Sequence, residues 1–428
     1  MNITLLHDYF LNSSGVVTDS RKISKDSFFV ALRGDKFDGN AFAKTALENG
    51  AKYAMIDRPE LGKADPRFLW VENTLESLQK LALFHRNKLK TKIIAITGSN
   101  GKTTTKELIF NVLSQKFNTK ATQGNLNNHI GVPLTLLQLS SKTEIGIVEM
   151  GANHRKEIAF LCDIAQPDYG LITNFGKAHL EGFGSEQGVI AGKSELYEHI
   201  HATESLLFLN LDDPIQKKWS QYRYNCTFGE SGDAQYCIEY LKKKKGFLEL
   251  KWNGKTIKSQ LMGAYNYPNL AAAIAVGGFF GLDFEQISQG IASYLPTNNR
   301  SQILDKGSKR IRLDAYNANP SSMKAAITSF VEEVKTRGAI ILGDMFELGN
   351  YSAAAHQEIV ALVESTELEK IILVGEQFAK TQSKDPRIQT FTSLERVKNF
   401  LVDQPFQQTE ILIKGSRGMT LEVLLDVL

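Results

Sequence analysis

Short apolar runs alternate with helix-like stretches along most of the chain. Between residues 91 and 298, four runs have the length and apolar content of buried strands: Ile93–Thr97, Ile145–Met150, Tyr169–Thr173 and Ser205–Asn210. Stretches with helical spacing separate them. This alternation is typical of a mostly parallel sheet, because a helix usually returns the chain between parallel strands. The pattern predicts an α/β fold for this part of the chain.

The last third of the chain repeats the alternation with a characteristic strand ending. Ala339–Gly343, Ile371–Gly375 and Ile411–Gly415 are apolar runs that each end in glycine. Ligands of open α/β sheets bind outside such carboxyl ends. We expect a separate doubly wound, Rossmann-like domain here.

The chain before residue 90 has the pattern of a small α/β unit. Strands are predicted at Asp26–Leu32 and Ala51–Asp57, and helices at Asn40–Asn49 and Leu75–Lys88. With 428 residues, the chain is longer than one hydrophobic core usually supports. We therefore predict three domains, with boundaries at 1–90, 91–298 and 299–428.

One segment departs from the parallel pattern. Tyr236–Gln260 alternates apolar and charged residues around Lys242–Lys245 and an Asn253-Gly254 pair, which predicts an antiparallel hairpin insert. The lysine run could bind a polyanion, but a solvated turn is the simpler interpretation.

Composition and charge narrow the class of protein without defining it. Fifty basic and 47 acidic residues give a net charge of +3, which does not favour nucleic acid as a partner. Three cysteines without paired spacing indicate a reducing compartment. The N-terminus lacks signal-peptide character and no apolar run reaches membrane-spanning length. We expect a cytoplasmic monomer without a membrane span.

A candidate phosphate-binding loop follows the strand Ile93–Thr97. The sequence Gly98-Ser-Asn-Gly-Lys102-Thr103 places a lysine and a hydroxyl where a helix should begin. Backbone N–H groups of such a turn bind phosphate, lysine adds charge, and threonine can ligate Mg²⁺. The spacing is shorter than the usual motif, since Ile96 stands where the first glycine belongs. The alternative is an ordinary strand-turn-helix that contains Gly-Lys-Thr.

Polar residues after the next strands could share a site with this loop. Glu149 ends an apolar strand and is well placed to hold Mg²⁺. His179 lies in a glycine-rich loop beyond another strand, where a metal or phosphate role and an incidental one are equally supported. Lys193 begins a predicted helix, and by pattern alone it is a solvated lysine.

Two further groups of polar residues lie in predicted loops. Asn125, Asn127 and Asn128 form an amide-rich loop that could bind a polar substrate or merely cap its own turns. In the last domain, a loop of acid and amide residues and a basic loop both follow strands and should face one crevice. They comprise Asp314 and Asn317, and Lys414, Ser416 and Arg417.

Several of these motifs, in this order, resemble the Mur ligases of bacterial cell-wall synthesis. The resemblance rests on the motifs at Gly98–Thr103, Gly124–Gly131, His179–Ser185, Asp314–Pro320 and Gly343–Gly349, and it spans the chain. Together with Val17–Arg21, the last two motifs are most similar to the family member that adds a dipeptide.

The resemblance implies both an architecture and a reaction. It implies an N-terminal domain for a UDP-sugar, a central P-loop ATPase domain and a C-terminal Rossmann-like domain for the incoming dipeptide. ATP would activate the carboxylate of UDP-N-acetylmuramoyl-tripeptide as an acyl phosphate. The amine of D-alanyl-D-alanine would then displace phosphate. The implied cofactors are ATP and Mg²⁺.

The resemblance also assigns residues to roles. It implies a catalytic group of Lys102, His179 and Lys193, with Lys193 a candidate for carbamylation, and metal contacts from Thr103, Glu149, His179 and Lys193. Nucleotide contacts would come from Gly98, Asn100, Gly101, Lys102, Thr103, Thr104, Asn266, Asn269, Arg300, Asp314 and Asn317. Substrate contacts would come from Ser20, Arg21, Asn125, Asn127, Asn128, Lys414, Ser416 and Arg417.

The sequence departs from the family at two positions and leaves rival functions open. Tyr265 stands where the family commonly has a histidine near the adenine, and Asn40 stands where it commonly has a histidine in the uridine-side domain.

Two rival functions remain open. One is another amide ligase, such as the enzyme that adds the third peptide residue or folylpolyglutamate synthase. The other is a non-catalytic nucleotide sensor. The third peptide residue could be lysine or diaminopimelate. We expect the last domain to close over ATP about a hinge near Pro296–Arg300.

Overall fold

The computed structural model describes residues 1–63, 65–242, 246–334, 338–407 and 409–428. Within these residues, one sheet of four or more strands lies in each of the three predicted parts of the chain. The domain boundaries themselves stay a prediction.

The first part is a parallel four-stranded sheet in the order β1-β2-β5-β6, with a two-stranded hairpin, β3-β4, beside it. The predicted strands are found with shorter bounds, the helix predicted at Leu75–Lys88 begins one residue earlier, and the helix predicted at Asn40–Asn49 begins with one 3₁₀ turn. The elements are α1 (Ile3–Leu11), β1 (Val16–Val17), β2 (Phe28–Val30), β3 (Arg33–Gly34), β4 (Phe37–Asp38), α2 (Ala43–Glu48), β5 (Tyr53–Ile56), β6 (Phe68–Trp70) and α3 (Thr74–Lys88).

The central part is a seven-stranded sheet whose neighbouring strands all pair in parallel. Its order is β13-β12-β11-β10-β7-β9-β8, so β7 lies between β10 and β9. The elements are β7 (Lys92–Thr97), α4 (Lys102–Leu113), β8 (Thr119–Ala121), α5 (Gly131–Leu136), β9 (Ile145–Glu149), α6 (Glu157–Ala165), β10 (Tyr169–Ile172), α7 (Leu180–Phe183), α8 (Glu186–Ala202), β11 (Leu206–Asn210), α9 (Pro214–Lys217), β12 (Asn225–Gly229) and β13 (Tyr236–Cys237).

The predicted hairpin insert is a three-stranded antiparallel sheet, and its first residues belong elsewhere. β14 (Glu239–Leu241), β15 (Glu249–Trp252) and β16 (Lys255–Lys258) form this sheet, whereas Tyr236–Cys237 joins the parallel sheet beside β12. The β15–β16 turn has positive φ at Asn253 and Gly254, as predicted from that pair. Of the lysine turn predicted at Lys242–Lys245, residues 243–245 lie outside the described residues. α10 (Tyr267–Phe279) and α11 (Phe284–Ser293) complete the central part.

The last part is a six-stranded sheet in the order β17-β18-β22-β19-β20-β21, parallel except for β17. The chain passes from β19 outward to β21 and then returns to β22 on the other side of β19, as in a doubly wound sheet. The elements are β17 (Gln302–Lys306), β18 (Lys309–Asp314), α12 (Pro320–Val334), β19 (Gly338–Gly343), α13 (Ser352–Glu364), β20 (Lys370–Val374), β21 (Ile388–Phe391), α14 (Leu394–Asp403) and β22 (Glu410–Lys414).

The connection into this last part has an unusual backbone. Asn298, Asn299 and Ser301 all have φ between +49° and +58°, a region that non-glycine residues seldom occupy. A segment of this kind joins α11 to β17, where we predicted the hinge.

A continuous apolar cluster includes residues from all three parts, from Leu6 on α1 through Leu161 on α6 to Phe330 on α12. A second cluster lies under the other face of the central sheet, around α4 and α10. Among the described residues, no helix is both long and apolar enough to cross a membrane.

Buried hydrogen bonds join the first part to the central part. His85 on α3 lies 2.9 Å from the carbonyl of Leu139 through Nε2 and 3.0 Å from Nε2 of His7 through Nδ1. Because the carbonyl can only accept, His85 carries its proton on Nε2 and accepts from His7. Nearby, Arg86 reaches the carbonyl of Ala165 and the carboxylate of Asp168. These contacts attach α3 to the central sheet.

The histidine pair makes this attachment sensitive to acid. Desolvation lowers the pKa of both His7 and His85 below the ordinary value of 6.5. As the pH falls below about 6.5, the unfolded chain takes up protons at these rings that the folded chain does not, so stability is lost. His85→Gln keeps a donor and an acceptor without titrating, and it should flatten the fall in thermal midpoint between pH 7 and 5.5.

The control for this measurement is His201→Gln, because His201 is an exposed histidine of the same chain. Its thermal midpoint should follow the pH dependence of the unchanged protein. Equal slopes for all three proteins would contradict the effect assigned to the buried pair.

Candidate active site

The loop between β7 and α4 has the geometry of a phosphate-binding loop. Gly98 and Gly101 have φ values of +137° and +78°, and α4 begins directly at Lys102. The first N–H groups of a helix have no partner within the helix, and the helix dipole makes this end positive. An anion can therefore bind at this point, as the sequence predicted.

Lys102 folds back onto its own loop. Its Nζ donates a 2.7 Å hydrogen bond to the carbonyl of Gly98. Desolvation lowers the pKa of Lys102, and the nearby carboxylate of Glu149 opposes this shift. A negative phosphate in the loop would give this ammonium a partner that offsets the cost of its burial.

Asn100, at the tip of the loop, is held from two sides. Its carbonyl accepts from Thr173 Oγ1 at 2.5 Å and from Asn174 Nδ2 at 2.9 Å, both just after β10. Its side-chain Oδ1 accepts from Asn319 Nδ2 at 2.7 Å, and Asn319 belongs to the last part of the chain. The loop is therefore fixed by the neighbouring strand and by the third domain together.

Asn266 and Asn269, predicted near the adenine, are buried behind the loop. Asn269 accepts from Thr105 Oγ1 at 3.0 Å and donates to Asn266 Oδ1 at 3.0 Å. A Cβ at Gly101 would lie 2.5 Å from Asn269 Oδ1, so this side chain requires glycine at that position. Both residues also line the cleft, so support of the loop and a nucleotide contact are compatible.

Glu149 is 1% exposed, and only one of its two carboxylate oxygens is hydrogen-bonded. Its Oε1 accepts from Asn127 Nδ2 at 2.8 Å, while the buried Oε2 has no hydrogen-bond partner. Asn128 instead caps α5 by accepting from the N–H of Gly131 at 2.9 Å. Asn128 therefore bonds within its own turn, which was one of the two alternatives left open by the sequence, whereas substrate binding by this amide-rich loop stays a prediction.

The unpartnered oxygen of Glu149 suits a hard cation such as Mg²⁺. Mg²⁺ commonly takes one or two protein ligands and completes its shell with water and phosphate oxygens. Glu149 and the hydroxyl of Thr103 both line the same cleft and would be those ligands. Among the described residues there is no cluster of three or more acidic, histidine or cysteine side chains arranged for a metal.

Lys193 does not line the cleft. It is fully buried on α8, its Nζ donates to the carbonyl of Ala152 at 3.1 Å, and it lies 5.0 Å from the ring centroid of Phe183. Burial is the main reason that its pKa falls well below the ordinary value, and Lys102 adds to the effect. The interpretation of Lys193 as a solvated lysine, which the sequence pattern alone favoured, is therefore wrong.

A cleft of about 1240 Å³ lies between the central and last parts. It collects most of the predicted site residues, although they come from distant positions in the sequence. Of these, it is lined by Asn100, Gly101, Lys102, Thr103, Thr104, Asn125, Asn127, Asn128, Glu149, His179, Asn266, Asn269, Arg300, Asp314, Asn317, Lys414, Ser416 and Arg417. Gly98, Lys193, Ser20 and Arg21 are not among the lining residues.

On the third-domain side, several predicted residues already have partners. The guanidinium of Arg300 lies 3.5 Å from the ring centroid of Tyr316. The buried Lys414 forms a 2.5 Å ion pair with Asp314. Arg417 pairs with Glu422, and Ser416 Oγ accepts from a backbone N–H. These contacts shape the wall of the cleft, whatever part each residue has in binding.

The third domain touches the central domain at several places beside the cleft. Asn319 reaches Asn100, and Ser321 Oγ accepts from the N–H of Lys177 at 2.9 Å. Farther along, Tyr351 donates to the carbonyl of Gly184 at 3.2 Å. The two domains are docked in this structure, and closure on ligand binding stays a prediction.

Sequence reasoning missed three residues that the structure places at the site: Asn174, Asn319 and Glu347. Asn174 and Glu347 line the cleft, and Asn319 reaches the phosphate loop. Asn319 and Glu347 lie inside motifs already noted, and Asn174 directly follows the predicted strand Tyr169–Thr173, so position along the chain was the available signal. Which of several polar neighbours faces the cleft depends on the loop backbone.

The chain belongs to the Mur ligase family. Three family models match it in order: "Mur ligase family, catalytic domain" over 12–86, "Mur ligase middle domain" over 96–277, and "Mur ligase, glutamate ligase domain" over 299–417. Together they cover most of the chain, in agreement with the phosphate loop and the three sheets.

Individual relatives point to one branch of the family. The UDP-N-acetylmuramoyl-tripeptide–D-alanyl-D-alanine ligases of Bacillus subtilis and Escherichia coli are 34% and 32% identical to this chain. Each alignment covers 95% of this chain. It covers 91% of the Bacillus subtilis protein and 92% of the Escherichia coli protein.

Solved structures agree with this assignment. MurF from Acinetobacter baumannii has a TM-score of 0.86 at 30% identity, covering 99% of this chain and 98% of that one. MurF ligase from Thermotoga maritima in complex with ADP has a TM-score of 0.84 at 28% identity, covering 98% and 97%.

The phosphate loop should not tolerate a side chain at Gly98. A Cβ there would lie 2.0 Å from Thr173 Oγ1 and 2.9 Å from the Thr173 backbone nitrogen. Gly15 has a similar φ of +132° but nothing within 4 Å, so Gly15→Ala measures backbone strain alone. Gly98→Ala should cost about 1–3 kcal/mol more in unfolding free energy, measured by urea denaturation. Equal losses would show that Thr173 moves aside freely.

Proposed function

We propose that this protein is an ATP-dependent ligase that joins D-alanyl-D-alanine to UDP-N-acetylmuramoyl-tripeptide in the synthesis of a peptidoglycan precursor. The observation that carries the proposal is the cleft, which brings a phosphate loop, a half-satisfied buried carboxylate and third-domain residues together. The substrates are inferred from the names of the two relatives, which align over nearly the whole chain.

The reaction proceeds in two steps. A carboxylate oxygen of the tripeptide attacks the γ-phosphorus of ATP, which gives an acyl phosphate and releases ADP. The amine nitrogen of D-alanyl-D-alanine then attacks the acyl carbon, loses a proton and expels phosphate, leaving an amide. Docked domains exclude the water that would hydrolyse the acyl phosphate.

The residues of the cleft have separate tasks in this sequence. Lys102 and the N-terminus of α4 neutralise charge on the phosphates as the phosphoryl group moves. Glu149 and Thr103 would hold Mg²⁺, which when bound supplies further positive charge at the phosphate oxygens. Arg300, Asp314 and Asn317 approach the nucleotide from the third domain. His179 lies at the edge where both domains meet.

We assign the other substrate sites by domain. Residues 1–90 bind the UDP-sugar, with Ser20 and Arg21 contributing; the Arg21 side chain is largely exposed beside Asp19. Asn125 and its neighbours contact the peptide, and residues 299–428 receive the dipeptide. The three cysteines are free, in agreement with a cytoplasmic enzyme. One chain supplies every group named here, so we propose a monomer.

The proposal is tested by phosphate release with a panel of substrates. Turnover should require ATP, Mg²⁺, D-alanyl-D-alanine and a UDP-N-acetylmuramoyl-tripeptide, offered with lysine or with diaminopimelate as its third residue. Lys102→Ala should lower kcat by roughly 10²–10³-fold, since its charge acts mainly in the transition state.

Matched controls separate loss of chemistry from loss of fold. Lys92→Ala removes an exposed lysine of β7, whose ammonium lies outside the cleft beside Asp168, and it should leave kcat near its original value. Turnover with single amino acids but not the dipeptide would contradict the substrate assignment. Near-normal kcat in a folded Lys102→Ala protein would contradict the phosphate-loop role.

We further propose that Lys193 is carbamylated. A neutral amine is the form that attacks CO₂, and burial favours that form here. The new N–C bond and the loss of one proton would convert Lys193 to an anion. Lys193→Ala should lose activity and regain part of it with acetate, which can occupy the vacated space as a carboxylate.

Lys106 provides the control for this rescue, because it is an equally buried lysine of the same domain that is hydrogen-bonded to the carbonyl of Thr122. Acetate should not restore activity to Lys106→Ala. Mass spectrometry in bicarbonate should add the mass of CO₂ at Lys193. An unmodified lysine together with no acetate rescue would leave Lys193 with a purely structural role.

A further inference from the structure

Two basic side chains on the wall of the cleft have no task in the function proposed above. Arg155 and Lys156 line the cleft and are exposed, and among the described residues neither charged group has a hydrogen bond or an ion pair. The other lysines and arginines that line the cleft each have a partner in the structure: Lys102, Arg300, Lys414 and Arg417. Two uncompensated cations at a concave surface attract an anion.

The segment that carries these cations is fixed by a buried carboxylate. The two oxygens of Glu195 accept from the N–H of Lys156 at 2.6 Å and from the N–H of Ala159 at 3.1 Å. These N–H groups at the start of α6 are therefore already occupied. An incoming anion would meet the side chains of Arg155 and Lys156 rather than the backbone.

The backbone at Lys156 is strained. Its φ is +72°, in a region that favours glycine and costs a residue with a Cβ about 1–2 kcal/mol. Because its ammonium has no partner among the described residues, the side chain makes no ion pair of its own that would offset this cost. Strained residues of this kind concentrate at functional sites. The strain and the unpaired charge therefore both favour a ligand contact at this lysine.

The same loop begins at the carboxylate suited to Mg²⁺ and runs beside the amide-rich loop. Glu149 ends β9, and the N–H of Gly151 donates to the carbonyl of Asn127 at 2.7 Å. One helical turn after Lys156, Phe160 is 43% exposed and also lines the cleft, and its N–H bonds to the Lys156 carbonyl at 3.1 Å. The loop after the proposed cation ligand thus offers an apolar ring and two cations.

We propose that Arg155 and Lys156 select diaminopimelate over lysine as the third residue of the tripeptide by binding the carboxylate at the end of its side chain. This rests on the proposed function for the identity of the peptide. The dipeptide is joined to the free end of the tripeptide, so the third residue lies nearest to the phosphate loop. Both side chains are aliphatic and end in an amine, and only diaminopimelate adds a carboxylate there. Phe160 would cover the methylene groups of either.

The two cations also disfavour the alternative peptide. A lysine side chain would bring an ammonium to Arg155 and Lys156 without a carboxylate to balance it. The acid of the same segment, Glu157, is already engaged: it accepts from the N–H groups of Asn153 at 2.7 Å and His154 at 3.2 Å, and it lies 3.1 Å from Nδ1 of His154. Selection therefore combines attraction of one substrate with repulsion of the other.

The test compares kcat/KM for the two UDP-N-acetylmuramoyl-tripeptides at low salt. The unchanged protein should prefer the diaminopimelate peptide by about 10-fold, since partly exposed charge pairs contribute modestly. The double variant Arg155→Ala/Lys156→Gly should bring the ratio close to one, chiefly by raising KM for the diaminopimelate peptide, because this contact is made before and during the reaction alike. Glycine adopts the φ of Lys156 without strain, so the thermal midpoint should not fall. Arg155→Glu should favour the lysine peptide.

The control is the double variant Lys120→Ala/Arg223→Ala, which removes the same net charge from exposed positions of the central domain that do not line the cleft. It should keep the preference of the unchanged protein. Added salt should weaken that preference in the unchanged protein and in the control, because exposed charges are screened. Salt should leave the Arg155→Ala/Lys156→Gly ratio almost unaltered.

Several results would overturn the selection. They are equal kcat/KM values or a preference for lysine in the unchanged protein, a preference that survives in Arg155→Ala/Lys156→Gly, and an equal rise in KM for both peptides. The last would show that the cations bind a group that the two peptides share. If neither peptide is turned over, the proposed function fails. Isothermal titration calorimetry with both peptides then decides the selection separately: a preference for diaminopimelate that the double variant abolishes supports it, and equal affinities overturn it.

Discussion

A phosphate loop must leave its own N–H groups available for an anion, and the rest of this structure depends on that constraint. A loop whose N–H groups are kept for an anion has to be held largely by partners outside it. Here Thr173, Asn174 and Asn319 hold Asn100, and Asn269 presses against Gly101. The adjacent strand, the helix α10 and the third domain thus all contribute to one short turn.

Local pattern was enough to predict the framework of this arrangement. The strand before Gly98, the helix start at Lys102 and the three glycine-ended strands of the last domain are all found, because strand length and turn chemistry act within a few residues. Glu149 was also predictable, since the carboxyl ends of neighbouring parallel strands meet at one edge. The split of Tyr236–Gln260 between two sheets was not, because strand pairing is decided by distant partners.

The remaining differences concern contacts between parts far apart in sequence. Lys193 looked solvated because helical spacing does not show which neighbour covers a side chain, and here Phe183 and the carbonyl of Ala152 cover it. Glu347 was one polar residue among several in its motif, and only the folded loop shows that it meets His179. The family motifs predicted most of the residues that line the cleft, whereas the residues that support it from behind could be identified only from the structure.

Asn319 performs two tasks with one side chain. Its Oδ1 accepts from the N–H of Ser322 at the start of α12, while its Nδ2 donates to Asn100 across the domain boundary. Aspartate would begin the helix equally well, but an ionised carboxylate can only accept, so it could not also donate to Asn100. An aspartate at this position would therefore still start α12, but the phosphate loop would lose its side-chain hydrogen bond from the last domain.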